Sequence, residues 1–288
     1  EHPATEEYLY RDNHSNAVPA TYNFEPRYAP ESRPYLCCEM GGGMFCSYNY
    51  RFELPYESVD AMANIKLGSG CNMLGYYMYH GGMNPVGPDG QFLNEGQVPK
   101  LDYDFQAALG ACGQARPSYR RLRALHLFAE AFGPSLCSMK TVLPEGSQAI
   151  APTDAHTLRH AVRIAPDGSG FLFLNNFQDH APMADLHNQT VRLQTVAGDV
   201  AFENFSLAAG ENCVLPFRLE VGGVLVLFAH AQPLTAFDVR GTTCAFFFTP
   251  EGMRPLYAFA AGTRIAVETG EVTYSDGQVR VSGNLPCF

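Results

Sequence analysis

The sequence predicts an α/β unit followed by an all-β region. Three observations carry this. Strand-like and helix-like segments alternate up to about residue 138. From Met139 onward the apolar runs become short and are separated by Gly, Pro and Asp-Gly turn residues. The chain is also long enough, at 288 residues of which 46% are hydrophobic and 17% charged, to bury a sizeable core. The organisation expected is therefore an α/β segment over residues 1–138 and a β-sandwich-like region over 139–288.

The elements follow in order. Ala17 to Phe24 is a short apolar segment leading into a Pro/Tyr-rich loop through Pro34. Tyr35-Leu36-Cys37-Cys38 reads as a strand ending at Glu39 and three glycines, Gly41 to Gly43. Pro55 opens a helical stretch with apolar Val59, Met62, Ala63 and Ile65, closed by Gly68; proline at the start and glycine at the end are helix punctuation. Asn72 to His80 follows as a strand apolar or aromatic on both faces, the pattern of a buried parallel strand. Pro117 starts the clearest helix, where Tyr119, Leu122, Leu125, Ala129 and Phe132 keep one face apolar, and Gly133-Pro134 is expected to stop it. In the second half, Phe171–Leu174, Val224–Phe228 and Cys244–Phe248 read as strands, and Arg264–Glu268 with Glu271–Tyr274 reads as a hairpin about Thr269-Gly270.

Composition narrows the function. Lys plus Arg number 19 against 29 Asp plus Glu, a formal net charge of −10, so phosphate backbones and anionic lipid surfaces are repelled. No apolar run approaches the roughly 20 residues of a membrane span. No signal peptide is visible, which suggests a cytoplasmic protein, although the opening Glu-His-Pro-Ala reads as if cut from something longer. The nine cysteines contain no C-x-x-C, as expected of reduced, buried thiols rather than a disulfide framework. Sequons at Asn188 and Asn204 carry little weight without a secretion signal. Tryptophan is absent, which argues against a sugar-stacking site built on it; 15 Tyr and 20 Phe are the alternatives.

The sequence lacks the phosphate-loop, dinucleotide, zinc-protease and serine-hydrolase signatures. Asp154/His156 and Asp179/His180 are read as turn or surface groups rather than metal ligands. Glu39 is of greater interest, because carboxylates at the C-terminal ends of parallel strands line the mouths of β/α barrels; the alternative is a solvated loop carboxylate. The aromatic strand through Tyr77 is likewise either a site element or core.

Particular motifs shift these readings. Pro34-Tyr35-Leu36-Cys37-Cys38-Glu39 before its glycine loop resembles the nucleophile strand of glycoside hydrolase family 35, the β-galactosidases. Tyr77-Met78-Tyr79-His80-Gly81-Gly82-Met83-Asn84 is similar to that family's Y-M-x-x-G-G-T-N signature at the last barrel strand. Leu101 to Leu109, followed by Gly113-Gln114, resembles its S-Y-D-Y-x-A-P-L-x-E-x-G segment. The resemblance covers residues 17–134 and extends more softly into Gly170–Asn176 and Ala231–Leu234. It implies that residues 1–138 are about strands six to eight of a (β/α)8 TIM barrel, with the β-sandwich region behind. It implies Glu39 as nucleophile, Tyr77 as a group holding nucleophile and galactosyl ring, and Phe105 where many members carry a second tyrosine. Met83 for threonine, Ala108 for proline and the missing Gly-Trp after the nucleophile are departures from the pattern.

A retaining glycosidase also needs an acid/base carboxyl, about 5 to 5.5 Å from its nucleophile. In the family this is the glutamate of an Asn-Glu pair on an earlier strand, and none of the 38 residues before Glu39 forms such a pair. Asn94-Glu95 lies after the last strand in a Gly/Pro loop and reads as a decoy. The resemblance therefore implies a fragment carrying the nucleophile but not the acid/base, inactive alone. Its substrate would be a terminal β-galactoside of an oligosaccharide or glycoconjugate, with no metal or organic cofactor and no nucleic-acid or membrane partner. The other reading is a non-catalytic carbohydrate-binding or subunit-interface module in which the β half does the work.

Overall fold

The computed structural model describes residues 3–12, 28–29, 32–47, 49–91, 101–275 and 277–283. The segment read as a first strand, Ala17 to Phe24, and the Asn94-Glu95 pair lie outside the described residues. Within them, strand β1 (Tyr35–Gly41), helix α1 (Glu57–Gly68) and strand β2 (Cys71–Tyr77) form a parallel β-α-β unit. Helix α1 carries Glu57 and Asp60 in its first turn and Lys66 in its last, each charge opposing the adjacent end of the helix dipole. Two short strands, β3 (Gly82–Met83) and β4 (Asp102–Tyr103), pair beyond β2.

Helix α2 (Pro117–Leu136) begins at its predicted proline but does not stop at Gly133-Pro134. Pro134 lies in the last turn and removes one helix hydrogen bond, the one to the Glu130 carbonyl, without ending the helix. The Cys137 N–H still reaches the Gly133 carbonyl, at 3.3 Å.

The β-rich half is dominated by one antiparallel sheet. Its strands are β5 (Lys140–Val142), β6 (Arg159–Ile164), β7 (Gly170–Asn175), β10 (Asn212–Val221), β11 (Val224–Ala229), β14 (Leu256–Ala260), β15 (Glu271–Ser275) and β16 (Gln278–Ser282). They lie in the order β15-β16-β14-β11-β10-β7-β6-β5. Two hairpins accompany it: β8 (Leu186–Leu193) with β9 (Val200–Leu207), and β12 (Gln232–Val239) with β13 (Thr242–Phe248). This is compatible with a β-sandwich. The predicted runs at 171–174, 224–228 and 244–248 fall inside β7, β11 and β13. The predicted terminal hairpin is displaced, since Arg264–Glu268 is not a strand and β15 instead pairs with β16, with Ser275 opposite Gln278. The chain therefore reverses between Ser275 and Gln278, not at Thr269-Gly270.

Alternation along the sheet explains the layering. Ala161, Phe171, Phe173 and Val214 pack with Val59, Leu122, Phe128 and Phe132 of the helices. Their neighbours Val162, Leu172, Leu174 and Leu215 point the other way, onto Val191, Phe202, Phe205 and Leu207 of β8 and β9. The sheet is thus a middle layer. Every residue of β7 is buried because helices cover one face and a hairpin the other.

Two buried arginines fasten the layers, and neither has a carboxylate partner among the described residues. Arg163, fully buried, donates to the Leu67 carbonyl (2.8 Å) at the end of α1 and the Leu136 carbonyl (2.6 Å) at the end of α2, as well as to Met139 O and Asn72 Oδ1. One cation thus satisfies the last carbonyls of both helices, where the dipole also favours positive charge. Burial brings its pKa down to about 10, so it stays charged at neutral pH. Arg159 donates to Gln178 Oε1 (2.6 Å) and to the carbonyls of Tyr8, Pro152 and Asp154, which ties the N-terminal segment to the sheet. At the rim, Arg121 of α2 bridges Asp60 of α1 (2.7 Å) and Glu211 before β10 (3.0 Å). Burial raises the Asp60 carboxyl, against the donation it receives from Arg121 and Asn212.

Candidate active site

The carboxyl ends of β1 and β2 hold the predicted residues. Met40 is opposite Tyr76 and Gly41 opposite Tyr77, and the register shifts between Cys37 and Met40. Met40 and Tyr76 pack toward the helices. Glu39 and Tyr77, their neighbours, are exposed on the other face of this two-stranded sheet. The bulge at Cys38-Glu39 fits against Gly75, where a Cβ would stand 2.0 Å from the Cys38 carbonyl oxygen; only glycine lets the strands close there. No hydrogen bond or ion pair holds the Glu39 carboxylate among the described residues, so it is available to a ligand.

Tyr77 is held by its surroundings. Its hydroxyl lies 2.5 Å from that of Tyr103, and its ring meets Phe105 edge-on at 5.7 Å. Phe105 stacks on Tyr103 at 4.2 Å and is buried beneath both. The three side chains thus form one aromatic support with two hydroxyls at its surface. Phe105 and Gln106 both take left-handed backbone conformations (φ 56° and 53°), which turns the chain tightly under Tyr77.

That turn is braced from two sides. Asp104 accepts from Arg116 (2.6 Å) and from the Gln106 and Ala111 N–H groups, and Arg116 also donates to the Ala107 carbonyl. The Gln106 amide bridges to the preceding loop: its Oε1 accepts from Leu54 N (2.8 Å), and its Nε2 donates to Phe52 O (3.1 Å). Met44 N donates to the Phe105 carbonyl at 2.6 Å. The loop comes this close because residue 43 is glycine; a Cβ there would stand 2.5 Å from that same oxygen. Phe105, Gln106, Asp102 and Asp104 line a cavity of about 220 Å³ with Met44 to Cys46.

Residues 2–128 match the family model for glycosyl hydrolases family 35. The match covers Glu39, Tyr77 and Phe105 and ends inside α2, so the likeness to that family rests on the α/β segment and does not extend to the large sheet.

Sequence reasoning brought Glu39, Tyr77 and Phe105 to one end of the unit, but it missed Tyr103, Asp104, Gln106 and Arg116. Tyr103, Asp104 and Gln106 lie in the Leu101–Leu109 segment that resembles the family pattern, and their roles follow from a fold-back that spacing does not encode. The Asp-His pairs fulfil turn and tethering roles. Asp154 accepts from the His156 and Thr157 N–H groups (3.0 Å each), and Asp179 accepts from the Thr5 N–H (2.9 Å) and hydroxyl (3.0 Å). None of the described cysteines is in a disulfide. Among the described cysteines only Cys71 and Cys213 are buried, so the expectation of buried thiols holds for those two and not for exposed Cys38, Cys112 and Cys137.

Proposed function

We propose that this chain carries the nucleophile side of a retaining β-galactosidase site, with β1, α1 and β2 among the last β/α units of a TIM barrel. The observation that carries the reading is the placement of Glu39 and Tyr77 together on the open face at the carboxyl ends of two adjacent parallel strands, where barrel enzymes hold their chemistry. Glu39 attacks the anomeric carbon of a terminal β-galactoside as the glycosidic bond breaks, which gives a covalent glycosyl-enzyme. Water then attacks that carbon and releases galactose and the free carboxylate. Tyr77, fixed by Tyr103 and Phe105, directs its hydroxyl at the nucleophile or the sugar. The departing oxygen needs a proton from a second carboxyl, and the family pattern puts that group on an earlier strand. Phe105 stands where many relatives have tyrosine, so this site offers one hydrogen bond fewer.

The test is covalent labelling. A 2-fluoro-galactoside with an activated leaving group, which needs little acid assistance, is expected to label a peptide containing Glu39. In the form of the enzyme that includes an acid/base strand, Glu39→Gln is expected to lower turnover of a chromogenic β-galactoside by several orders of magnitude. The chain alone is expected to turn over slowly, general-acid assistance being worth about 10² to 10⁴ in rate. Label on another carboxylate, or near-normal turnover of Glu39→Gln, overturns the assignment. Saturable galactoside binding without label favours the non-catalytic carbohydrate-binding reading instead.

A further inference from the structure

A second cavity, of about 510 Å³, opens where the β8–β9 hairpin meets the far end of the large sheet, well within the size range of small-molecule sites at about 300–1,000 Å³. Arg218 of β10, Arg254 before β14 and Arg280 of β16 line it. In a chain of net charge −10 these three guanidiniums have no carboxylate within ion-pair distance among the described residues, whereas Arg11, Arg116, Arg121 and Arg192 each have one. Arg280 makes only long contacts, 3.4 Å, to the Gln278 amide oxygen. Two acidic residues, Asp199 and Glu203, also reach the rim from the hairpin, and Glu203 is taken up by Arg192 at 2.5 Å.

Against this cationic wall stands His230, 4% exposed, its ring packed against Phe202, Phe205 and Phe228. Its Nε2 is buried with no hydrogen-bond partner among the described residues, an arrangement that native structures rarely leave unexplained. Burial, together with nearby Arg280, keeps the imidazole neutral. Gln278 and Asn204 add two carboxamides. Guanidiniums select an oxyanion, bidentate where geometry allows, whereas carboxamides and a neutral imidazole suit hydroxyl groups.

We infer that this cavity is a binding site for a small hydroxylated anion, a sugar carboxylate or sugar phosphate, distinct from the Glu39 site and independent of the reading of that site. The guanidiniums of Arg218, Arg254 and Arg280 hold the oxyanion, and the neutral polar groups face the sugar hydroxyls. Arg218 and Arg280 stand on two strands of a sheet that folds with the rest of the core, and Arg254 lies just before a third, so the site exists before any ligand arrives.

Isothermal titration calorimetry on the full chain at fixed ionic strength tests it, with glucuronate, glucose 6-phosphate, glucose and inorganic phosphate as probes. At least one sugar anion is expected to bind with one-to-one stoichiometry and a Kd of about 1 mM or tighter. Glucose and inorganic phosphate should each bind about tenfold more weakly. Arg254→Gln, on the exposed rim, and Arg280→Gln should each weaken the sugar anion about tenfold or more, the loss of a charge-assisted contact, with an unchanged melting temperature for Arg254→Gln showing that the fold is intact. Whichever of the carboxylate and the phosphate binds identifies the oxyanion. No binding by either sugar anion overturns the proposal. So does inorganic phosphate binding as tightly as the sugars, or an affinity untouched by both substitutions.

Discussion

Strands β7 and β2 are both apolar runs of similar length, yet they end in opposite circumstances. Each residue of β7 is buried, since helices cover one face and the β8–β9 hairpin the other. In β2 only one face is covered: Leu74 and Tyr76 pack against the helices, while Met73 and Tyr77 remain 43% and 40% exposed on the other side. Leu36 of β1 repeats this at 47%. A strand apolar on both faces is a request for two covering layers. For β7 both layers are present within the described residues, helices α1 and α2 of the α/β segment on one side and the β8–β9 hairpin on the other, whereas β1 and β2 have only the helices. The difference separates positions that hold this chain together from positions whose side chains are free to meet something else.

The closed side should break first. Arg163→Leu removes a charged donor from the carbonyls of Leu67, Leu136 and Met139 in a buried site, although Leu67 and Leu136 keep the Gly70 and Met139 N–H groups. A hydrogen bond from a charged donor is worth about 1.5–3 kcal/mol, so with several lost together a loss of at least about 3 kcal/mol is expected. Urea denaturation would measure it. A loss below about 1 kcal/mol would mean that water or a rearranged helix end replaces the guanidinium.

The next effect is a matter of pH. Burial lowers the pKa of His230 from 6.5 to about 4, and it lowers His126 and His160 in the same direction. Below pH 6.5 the unfolded chain takes up protons that the folded chain refuses. The stability they contribute is therefore complete above about pH 6.5 and is lost as pH falls toward 4. For His230 alone the linkage amounts to about 3 kcal/mol, at about 1.4 kcal/mol per unit. Unfolding free energy should therefore fall from pH 7 to pH 4.5, and His230→Phe should flatten that dependence. An equally steep dependence in the variant would place the acid sensitivity elsewhere.

These contrasts also show where sequence reading works. The strands 35–41 and 71–77, both helices and the runs inside β7, β11 and β13 were legible because periodicity and Pro/Gly punctuation are local signals. The placement of Glu39 and Tyr77 at the carboxyl ends of β1 and β2 was legible as well, through strand-end position and motif likeness. The overrun of α2 past Pro134 was not, because Arg163 donates to the Leu136 carbonyl at the helix end, a long-range contact that local punctuation does not encode. Nor was Tyr103 as the partner of Tyr77, because that pairing depends on two left-handed residues, Phe105 and Gln106, neither of them glycine. Long-range hydrogen bonds decided what local patterns left open.

On the open face, substitutions should register in chemistry before stability. In the form of the enzyme carrying an acid/base, Tyr77→Phe is expected to cost about 1–3 kcal/mol in kcat/KM, since it removes the hydroxyl proposed to face the nucleophile or the sugar. Phe105→Tyr should be tolerated there. An unchanged kcat/KM in Tyr77→Phe would assign that side chain to packing alone.

The smallest expected effect is the sharpest probe of the comparison. Leu36→Thr and Met73→Thr lie on the uncovered face of β1 and β2, and threonine keeps the strand preference of the backbone. If that face is bare in solution, each change should move the unfolding free energy of this chain by no more than about 0.5 kcal/mol, as at ordinary surface sites. Leu172→Ala, its control on the fully covered β7, should cost about 2–5 kcal/mol through the cavity it leaves. The same threonine substitutions made where further barrel strands cover the face should become as costly as other core truncations. A cost of 2 kcal/mol or more in this chain by itself would show that something already covers β1 and β2, and analytical ultracentrifugation would then tell a second copy from an intramolecular cover. Near-zero cost in both settings would break the idea that barrel strands pack on this face at all.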